Sequence, residues 1–169
     1  MSEHSTVFFL LSTYQKCLET LKAERSRIAA GLEVLMRSLR IIARSIYGEG
    51  YEKTFLENGE KASKYWKKDE KIDPSTALYI CYMTIIEYLV EGAEGADEVE
   101  GYEKANIILR EHASLLNRMY RAIDRGDDID IALLLCENCG HVEPKKNDRD
   151  IKCQICGAPI ALYKHKNSA

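Results

Sequence analysis

Two matched cysteine pairs near the C-terminal end constrain this chain most. One pair stands in the segment CENCGH at 136–141 and the other in CQICGAP at 153–159, with thirteen residues between the pairs. Each pair places two thiols three positions apart and is followed by glycine, which permits a tight turn whose backbone N–H groups point back toward the sulfurs. Two such turns facing each other supply four sulfurs tetrahedrally. The predicted metal ligands are Cys136, Cys139, Cys153 and Cys156.

The metal itself is less constrained than its ligands, because zinc and a single iron ion both accept four thiolates. The loop EPKKNDRDIK between the pairs is strongly polar and would shield a redox centre poorly. Zn²⁺ is therefore favoured, and iron at the same four cysteines is the alternative. A pair of redox dithiols would require a thioredoxin-like βαβ context, which the surrounding residues lack. His141 follows the first turn and can either orient a sulfur or simply cover the hairpin.

Cellular context can be inferred from cysteine usage and hydropathy. Paired CxxC motifs are typical of metal ligation in a reducing compartment rather than of disulfides. Cys17 and Cys81 lie among apolar residues with helical spacing and are expected to be buried without a chemical role. No apolar run reaches the roughly 18 residues of a membrane span, and the N-terminal VFFLL lacks the flanks of a signal peptide. We expect a cytoplasmic protein with no membrane partner.

Apolar residues recur in alternating steps of three and four through the first part of the chain, which is the period of an amphipathic helix. Only Arg25 interrupts this stripe. We expect one long helix over residues 6–47, although two helices jointed near Arg25 would show the same pattern. The stripe consists of Val7, Leu11, Tyr14, Leu18, Leu21, Ile28, Leu32, Leu35, Leu39, Ile42 and Ile46.

Three further helices are predicted, over about residues 51–67, 74–91 and 102–125. The last of them has an inward stripe made by Ala105, Leu109, His112, Leu116, Met119 and Ile123. Asp73 and Pro74 supply an N-cap and a first-turn proline for the third helix. That helix is apolar on nearly every side, which indicates enclosure within a bundle or at a subunit interface. The fold class is thus mostly α, with a helical bundle over residues 1–128 and a small β module over residues 129–169 that carries the four cysteines.

The order of these parts resembles the rubrerythrin family. CGH followed by CxxCGAP and the aromatic Tyr163 is similar to the rubredoxin-like tail of rubrerythrins, which follows a ferritin-like four-helix bundle. Two related segments, GEGYEKTF at 48–55 and VEGYEKANI at 99–107, resemble the internal duplication of such a bundle. The resemblance covers roughly residues 24–163 and implies a ferritin-like bundle with a rubredoxin-like or zinc-ribbon module.

The resemblance also implies a diiron site, made by Glu from two helices and an ExxH pair from each of the other two. This sequence contains no ExxH. The positions matching the two pairs hold Tyr65 with Lys68 and Leu116 with Met119, none of which offers a carboxylate or an imidazole. The diiron ligands are therefore expected to be lost, and with them peroxide-reducing activity.

An altered bundle site is the remaining metal hypothesis outside the cysteines. Glu33, Glu87 and His112 are the residues that could form it. The competing interpretation is two exposed or salt-bridged carboxylates and a hydrogen-bonded histidine at the edge of the core.

Three function hypotheses follow. The first is a non-enzymatic metal-binding protein with a structural four-cysteine site, whose helices mediate assembly, as a homodimer, or contact with a protein partner. The second is electron transfer through an iron–tetrathiolate centre. The third is a regulatory zinc ribbon that contacts nucleic acid or transcription machinery through basic residues of the module. Those residues are Lys145, Lys146, Arg149, Lys152, Lys164 and Lys166.

Overall fold

The computed structural model describes residues 3–48, 50–51, 53, 66–67, 70–95, 100–145 and 152–163. Four helices and three short strands lie within these ranges. The helices are α1 (Glu3–Glu24), α2 (Ser26–Tyr47), α3 (Pro74–Gly95) and α4 (Glu100–Asp124). The strands are β1 (Leu133–Leu135), β2 (Val142–Pro144) and β3 (Ala161–Tyr163). Among the described helices, none is both long and apolar enough to cross a membrane.

The expectation of one continuous helix over 6–47 is wrong. The backbone leaves the helical region at Arg25 (φ −143°, ψ 72°), and α1 and α2 fold back on each other as a helical hairpin. The rings of Phe8, near the start of α1, and Tyr47, at the end of α2, stack with centroids 5.8 Å apart. The apolar stripe keeps its phase across Arg25, so its period could not distinguish a continuous helix from a hairpin.

A distant carboxylate stabilises this break. Arg25 makes no side-chain cap for α2, which would leave the first N–H groups of the helix without partners. Asp128, about a hundred positions along the chain, accepts hydrogen bonds from the backbone N–H of Ile28 at 3.0 Å and of Arg27 at 3.3 Å. The segment that follows α4 therefore closes the α1–α2 turn.

Among the described helices, α3 and α4 make the most extensive pair. Pro74 is the first helical residue, as expected, and the carbonyl of Asp73 accepts the N–H of Ala77 at 3.0 Å. The Asp73 carboxylate also accepts a hydrogen bond from the Thr76 hydroxyl at 2.7 Å. Gly126 (φ +80°) ends α4 with the paired 6→1 and 5→2 hydrogen bonds of a Schellman motif. The predicted helix over 51–67 lies mostly outside the described residues, and the indole N–H of Trp66 donates to the Thr13 hydroxyl at 2.7 Å.

The core confirms the predicted inward faces. Every stripe residue of α1 and α2 is buried except Ile46, which is half-buried. The α4 stripe is buried as well, except for Ile123, which is half-buried; its buried members are Ala105, Leu109, His112, Leu116 and Met119. Strand β1 pairs antiparallel with β2 on one side and β3 on the other, in the order β2-β1-β3. Leu133 and Leu135 point into the bundle core, while Leu134 packs with Cys136, Cys153 and Ile160. The sheet is thus the layer shared by the bundle and the cysteine module.

Candidate metal centre

The two CxxCG segments fold into turns with the same geometry. In the first turn the N–H of Gly140 donates to the carbonyl of Cys136 at 2.9 Å, and in the second the N–H of Gly157 donates to Cys153 at the same distance. Gly140 and Gly157 have φ of +88° and +77°, a region that residues with a Cβ avoid. We call these turns the first knuckle (136–141) and the second knuckle (153–158). The expected role of each glycine is confirmed.

All four predicted cysteines come together. Their sulfur atoms lie within 4.8 Å of one another. Two contacts join one knuckle to the other, at 3.5 Å for Cys136–Cys156 and 3.6 Å for Cys139–Cys153. A tetrahedron with metal–sulfur bonds of about 2.3 Å has sulfur–sulfur edges of about 3.8 Å. The arrangement therefore fits a four-coordinate ion with little adjustment.

Hydrogen-bond donors surround the sulfurs. The N–H of Ile155 donates to Cys153 at 3.4 Å, and the side-chain amide of Asn138 donates to Cys156 at 3.5 Å. The Asn138 amide, followed by the N–H of Ala158, lowers the pKa of the Cys156 thiol to about 6. Burial raises the pKa of Cys139, against the opposing effect of the His141 N–H. These donors favour thiolates, the form that binds metal.

The cluster has a buried side and an open side. Cys136 and Cys153 are buried, whereas Cys139 and Cys156 are partly exposed. The exposed sulfurs border a groove of about 450 Å³ between α2, α4 and the module. Ile42, Ile46 and Ile108 give this groove an apolar wall, and Lys104 adds a positive charge at its edge.

His141 covers the hairpin rather than ligating the cluster. Its ring is buried, and Nε2 lies 3.1 Å from a carboxylate oxygen of Glu143. Its backbone does more for the site, since its carbonyl accepts from the N–H of Cys136 at 2.9 Å and its N–H faces the Cys139 sulfur. The sequence had left open whether His141 orients a sulfur or covers the hairpin.

The hypothesis of an altered site at Glu33, Glu87 and His112 is wrong. Glu33 is exposed and pairs with Lys22 at 3.1 Å, and Glu87 is exposed on α3. His112 is fully buried with both ring nitrogens occupied: Nδ1 lies 3.0 Å from the Tyr14 hydroxyl and Nε2 lies 2.8 Å from the Ser38 hydroxyl. The histidine is instead a hydrogen-bonded core residue, which was the competing interpretation.

The described bundle does not fit a diiron centre. Within the described ranges, the cysteine cluster is the one group of three or more His, Cys, Asp or Glu side chains close enough to share an ion. The buried polar side chains of the described helices are hydroxyls and one imidazole. A diiron site requires several carboxylates, and the described part of the bundle brings no such set together.

Cys17 and Cys81 are buried, free thiols, as expected. Burial raises the pKa of Cys17 to about 12 and that of Cys81 well above its ordinary value. Protonated, enclosed thiols are poor nucleophiles and poor metal ligands. Of the predicted basic patch, Lys145 and Lys152 are exposed, and the other members lie outside the described residues.

The fold and the cluster together define a ferritin-like helical bundle with a C-terminal rubredoxin-like module, as the resemblance in the sequence implied. Solved structures of nigerythrin, a rubrerythrin family member, share this fold. The fully reduced, all-ferrous form matches with a TM-score of 0.60 and 16% identity over 95% of this chain and 82% of that one. The mixed-valent and partially reduced forms each match with a TM-score of 0.57 and 16% identity, over 95% of this chain and 84% of theirs.

Sequence comparison gives no such match. No family model matches the chain, and a search of curated proteins returned no similar sequence. The likeness to nigerythrin is therefore one of fold.

Proposed function

We propose that this chain is a non-enzymatic metal-binding protein in which the two knuckles hold one structural zinc ion. The observation that carries the proposal is the convergence of four cysteine sulfurs within 4.8 Å of one another. The proposed division is a helical scaffold over residues 1–128 that mediates assembly or partner contact, and a metal module over residues 129–169.

The small core of the module supports a structural role for the metal. Among the described residues of the module, that core contains Leu134 and Ile160 besides the cysteines, with Ile155 and Ala158 partly buried against it. So few apolar side chains bury too little surface to order a hairpin of this length. Metal binding supplies the missing free energy in modules of this kind.

Electron transfer is the alternative function, and two observations favour it. One nigerythrin structure with this fold is of a fully reduced, all-ferrous form. In this chain, Cys139 and Cys156 border an open groove, through which a redox partner could approach an iron ion to within a short distance. The same four thiolates would hold that iron.

Assembly as a homodimer is proposed from one face of α3. Tyr79, Met83 and Val90 are 45%, 36% and 63% exposed although they are large and apolar. The apolar character of α3 on nearly every side suggested a helix enclosed by the bundle or by a second subunit. The exposure of these three side chains favours the second subunit. Sedimentation equilibrium of the metal-loaded protein tests this proposal, and a monomer at all concentrations contradicts it.

Elemental analysis of protein purified without added metal or chelator tests the proposed function, together with a visible absorption spectrum. We expect about one zinc per chain and no colour. One iron per chain with a thiolate-to-iron absorption band would establish the alternative instead. Cys156→Ser should lose the metal, while the matched control Cys17→Ala should keep it. Equal metal content in these two variants would contradict a site at the knuckles.

A further inference from the structure

We propose that Ser38 of the helical bundle tunes the metal ligand Cys139 through the peptide group joining Gly140 to His141, and that Tyr14 and His112 hold the Ser38 hydroxyl in the orientation this requires. The inference rests on the proposed four-thiolate metal site. It assigns a role to buried polar residues that the metal cluster itself does not use. Ser38 and its partners are positioning residues, because none of them touches the metal ligands directly.

The direction of the hydrogen bonds follows from the last acceptor. The Ser38 hydroxyl lies 2.5 Å from the Gly140 carbonyl oxygen, which can only accept, so the hydroxyl donates to it. Its single proton is then used, and its oxygen must accept from Nε2 of His112 at 2.8 Å. His112 therefore carries its proton on Nε2.

The remaining ring nitrogen completes the chain. Nδ1 of His112 is then an acceptor, and it takes the hydroxyl proton of Tyr14 at 3.0 Å. Only this tautomer pairs each donor in the hydrogen-bond chain with an acceptor. The chain thus runs in one direction, from Tyr14 in α1 through α4 and α2 to the first knuckle.

Burial keeps this arrangement in a single state. The side chains of Tyr14, Ser38 and His112 have no exposed surface. Burial lowers the pKa of His112 to about 3, so the imidazole stays neutral near pH 7 and retains one donor and one acceptor. Burial also raises the pKa of Tyr14 well above its ordinary value, so its hydroxyl keeps the proton it donates.

One amide connects the chain to the sulfur. The Gly140 carbonyl and the His141 N–H belong to the same peptide group, and the N–H acts as a donor toward Cys139. Accepting a hydrogen bond at the carbonyl polarises the amide and makes its N–H a stronger donor. Donors to thiolate ligands reduce the electron density that sulfur gives to the metal. The bundle interior thereby acts on one ligand of four.

Among the described residues, the second knuckle has no neighbour equivalent to Ser38. A Cβ placed on Gly140 would lie 2.9 Å from the backbone oxygen of Ser38, whereas one placed on Gly157 would meet nothing within 4 Å. The coupling is accordingly specific to the first knuckle. This asymmetry makes the proposal testable by spectroscopy of the metal site.

The test uses cobalt(II) bound to the full-length protein, since tetrathiolate cobalt has a sulfur-to-metal charge-transfer band. Ser38→Ala removes the donor to Gly140, so sulfur becomes more electron-rich and the band should move to longer wavelength. Tyr14→Phe removes the donor to Nδ1 of His112, so the imidazole is no longer held with its proton on Nε2. This variant should shift the band in the same direction by a smaller amount. Ser114→Ala, an exposed serine of α4, and Tyr120→Phe, a half-buried tyrosine, are the matched controls and should leave the band in place.

The outcomes separate this inference from the proposed function. A wild-type protein that takes up no cobalt at the cysteines would contradict the metal site itself. Normal uptake with an unshifted band in either test variant would overturn the coupling alone. If Ser38→Ala fails to fold, the conservative Tyr14→Phe decides the question. With iron in the site, the same variants should make the reduction potential more negative, a second readout that loss of packing alone does not predict.

Discussion

The two knuckles share a local structure and differ in their surroundings. Both place a glycine at positive φ and repeat the same pattern of backbone hydrogen bonds. The first knuckle packs against α2, where a Cβ on Gly140 would meet Ser38, Ile41 and Ile42. A Cβ on Gly157 in the second would meet no atom of the described residues within 4 Å. A short motif therefore determines the turn, and the position of that turn in the fold determines which neighbours act on its sulfurs.

Removing one ligand from either knuckle should have the largest effect, because it abolishes the one property the knuckles share. Cys139→Ser and Cys156→Ser should each weaken binding enough to release the metal, whose total apparent binding free energy in such modules is on the order of 10 kcal/mol or more. The module should unfold while the helices persist, since the bundle core is formed mainly by α1–α4.

Metal content and far-ultraviolet circular dichroism measure this pair of effects, with Cys17→Ala as the control. Loss of the helical signal along with the metal would show that bundle and module unfold as one cooperative unit. Such a result is physically possible because Leu133 and Leu135 of β1 belong to the bundle core.

Matched glycine substitutions test the difference between the knuckles directly. Gly157→Ala should cost about 1–2 kcal/mol, the penalty for a Cβ in the left-handed region. Gly140→Ala adds a contact of 2.9 Å with the backbone oxygen of Ser38, so its cost should be about 2–5 kcal/mol. Urea unfolding of the zinc-loaded proteins measures both values. Equal losses would mean that the docking of the first knuckle is not tight.

Acid should weaken the hydrogen-bond chain that reaches the first knuckle. The pKa of His112 is lowered from 6.5 to about 3 by burial, so between these values the unfolded chain binds a proton that the folded chain does not. The stability that the neutral His112 imidazole contributes is fully present above about pH 6.5 and is lost as the pH falls toward 3. At pH 5 the loss should be about 2 kcal/mol.

The control for this pH effect is His112→Gln, which cannot titrate. Denaturant unfolding of both proteins at pH 7 and pH 5 gives the contribution of His112 as the difference between their pH dependences. Other acid-sensitive groups, including the cysteines, are common to both proteins and cancel. Parallel pH profiles would be inconsistent with a buried, neutral imidazole.

The smallest expected effect concerns the link between α4 and the module. Asp128→Ala removes the carboxylate that accepts from the N–H groups of Arg27 and Ile28, and loss of an N-cap costs about 1 kcal/mol. Asp130→Ala, an exposed aspartate of the same link, is the control. If the two substitutions lowered the midpoint of thermal unfolding by the same amount, Asp128 would have no capping role.

Local patterns predicted much of this molecule. The two CxxCG spacings identified all four clustered cysteines, and helical periodicity identified the buried stripes of α1, α2 and α4. The start of α3 at Asp73–Pro74 was also predicted, because its capping residues are adjacent in sequence. Periodicity failed at Arg25, where the break between helices depends on a carboxylate a hundred positions away.

The sequence by itself determined the elements whose causes are local: helix periods, caps, positive-φ glycines and the pairing of thiols three positions apart. The tertiary structure decided how those elements meet. It turned the α1–α2 stripe into a hairpin, left Glu33 and Glu87 at the surface, and joined Tyr14, His112 and Ser38 to the first knuckle. Each of these outcomes depends on contacts between residues far apart in the chain, which no local spacing records.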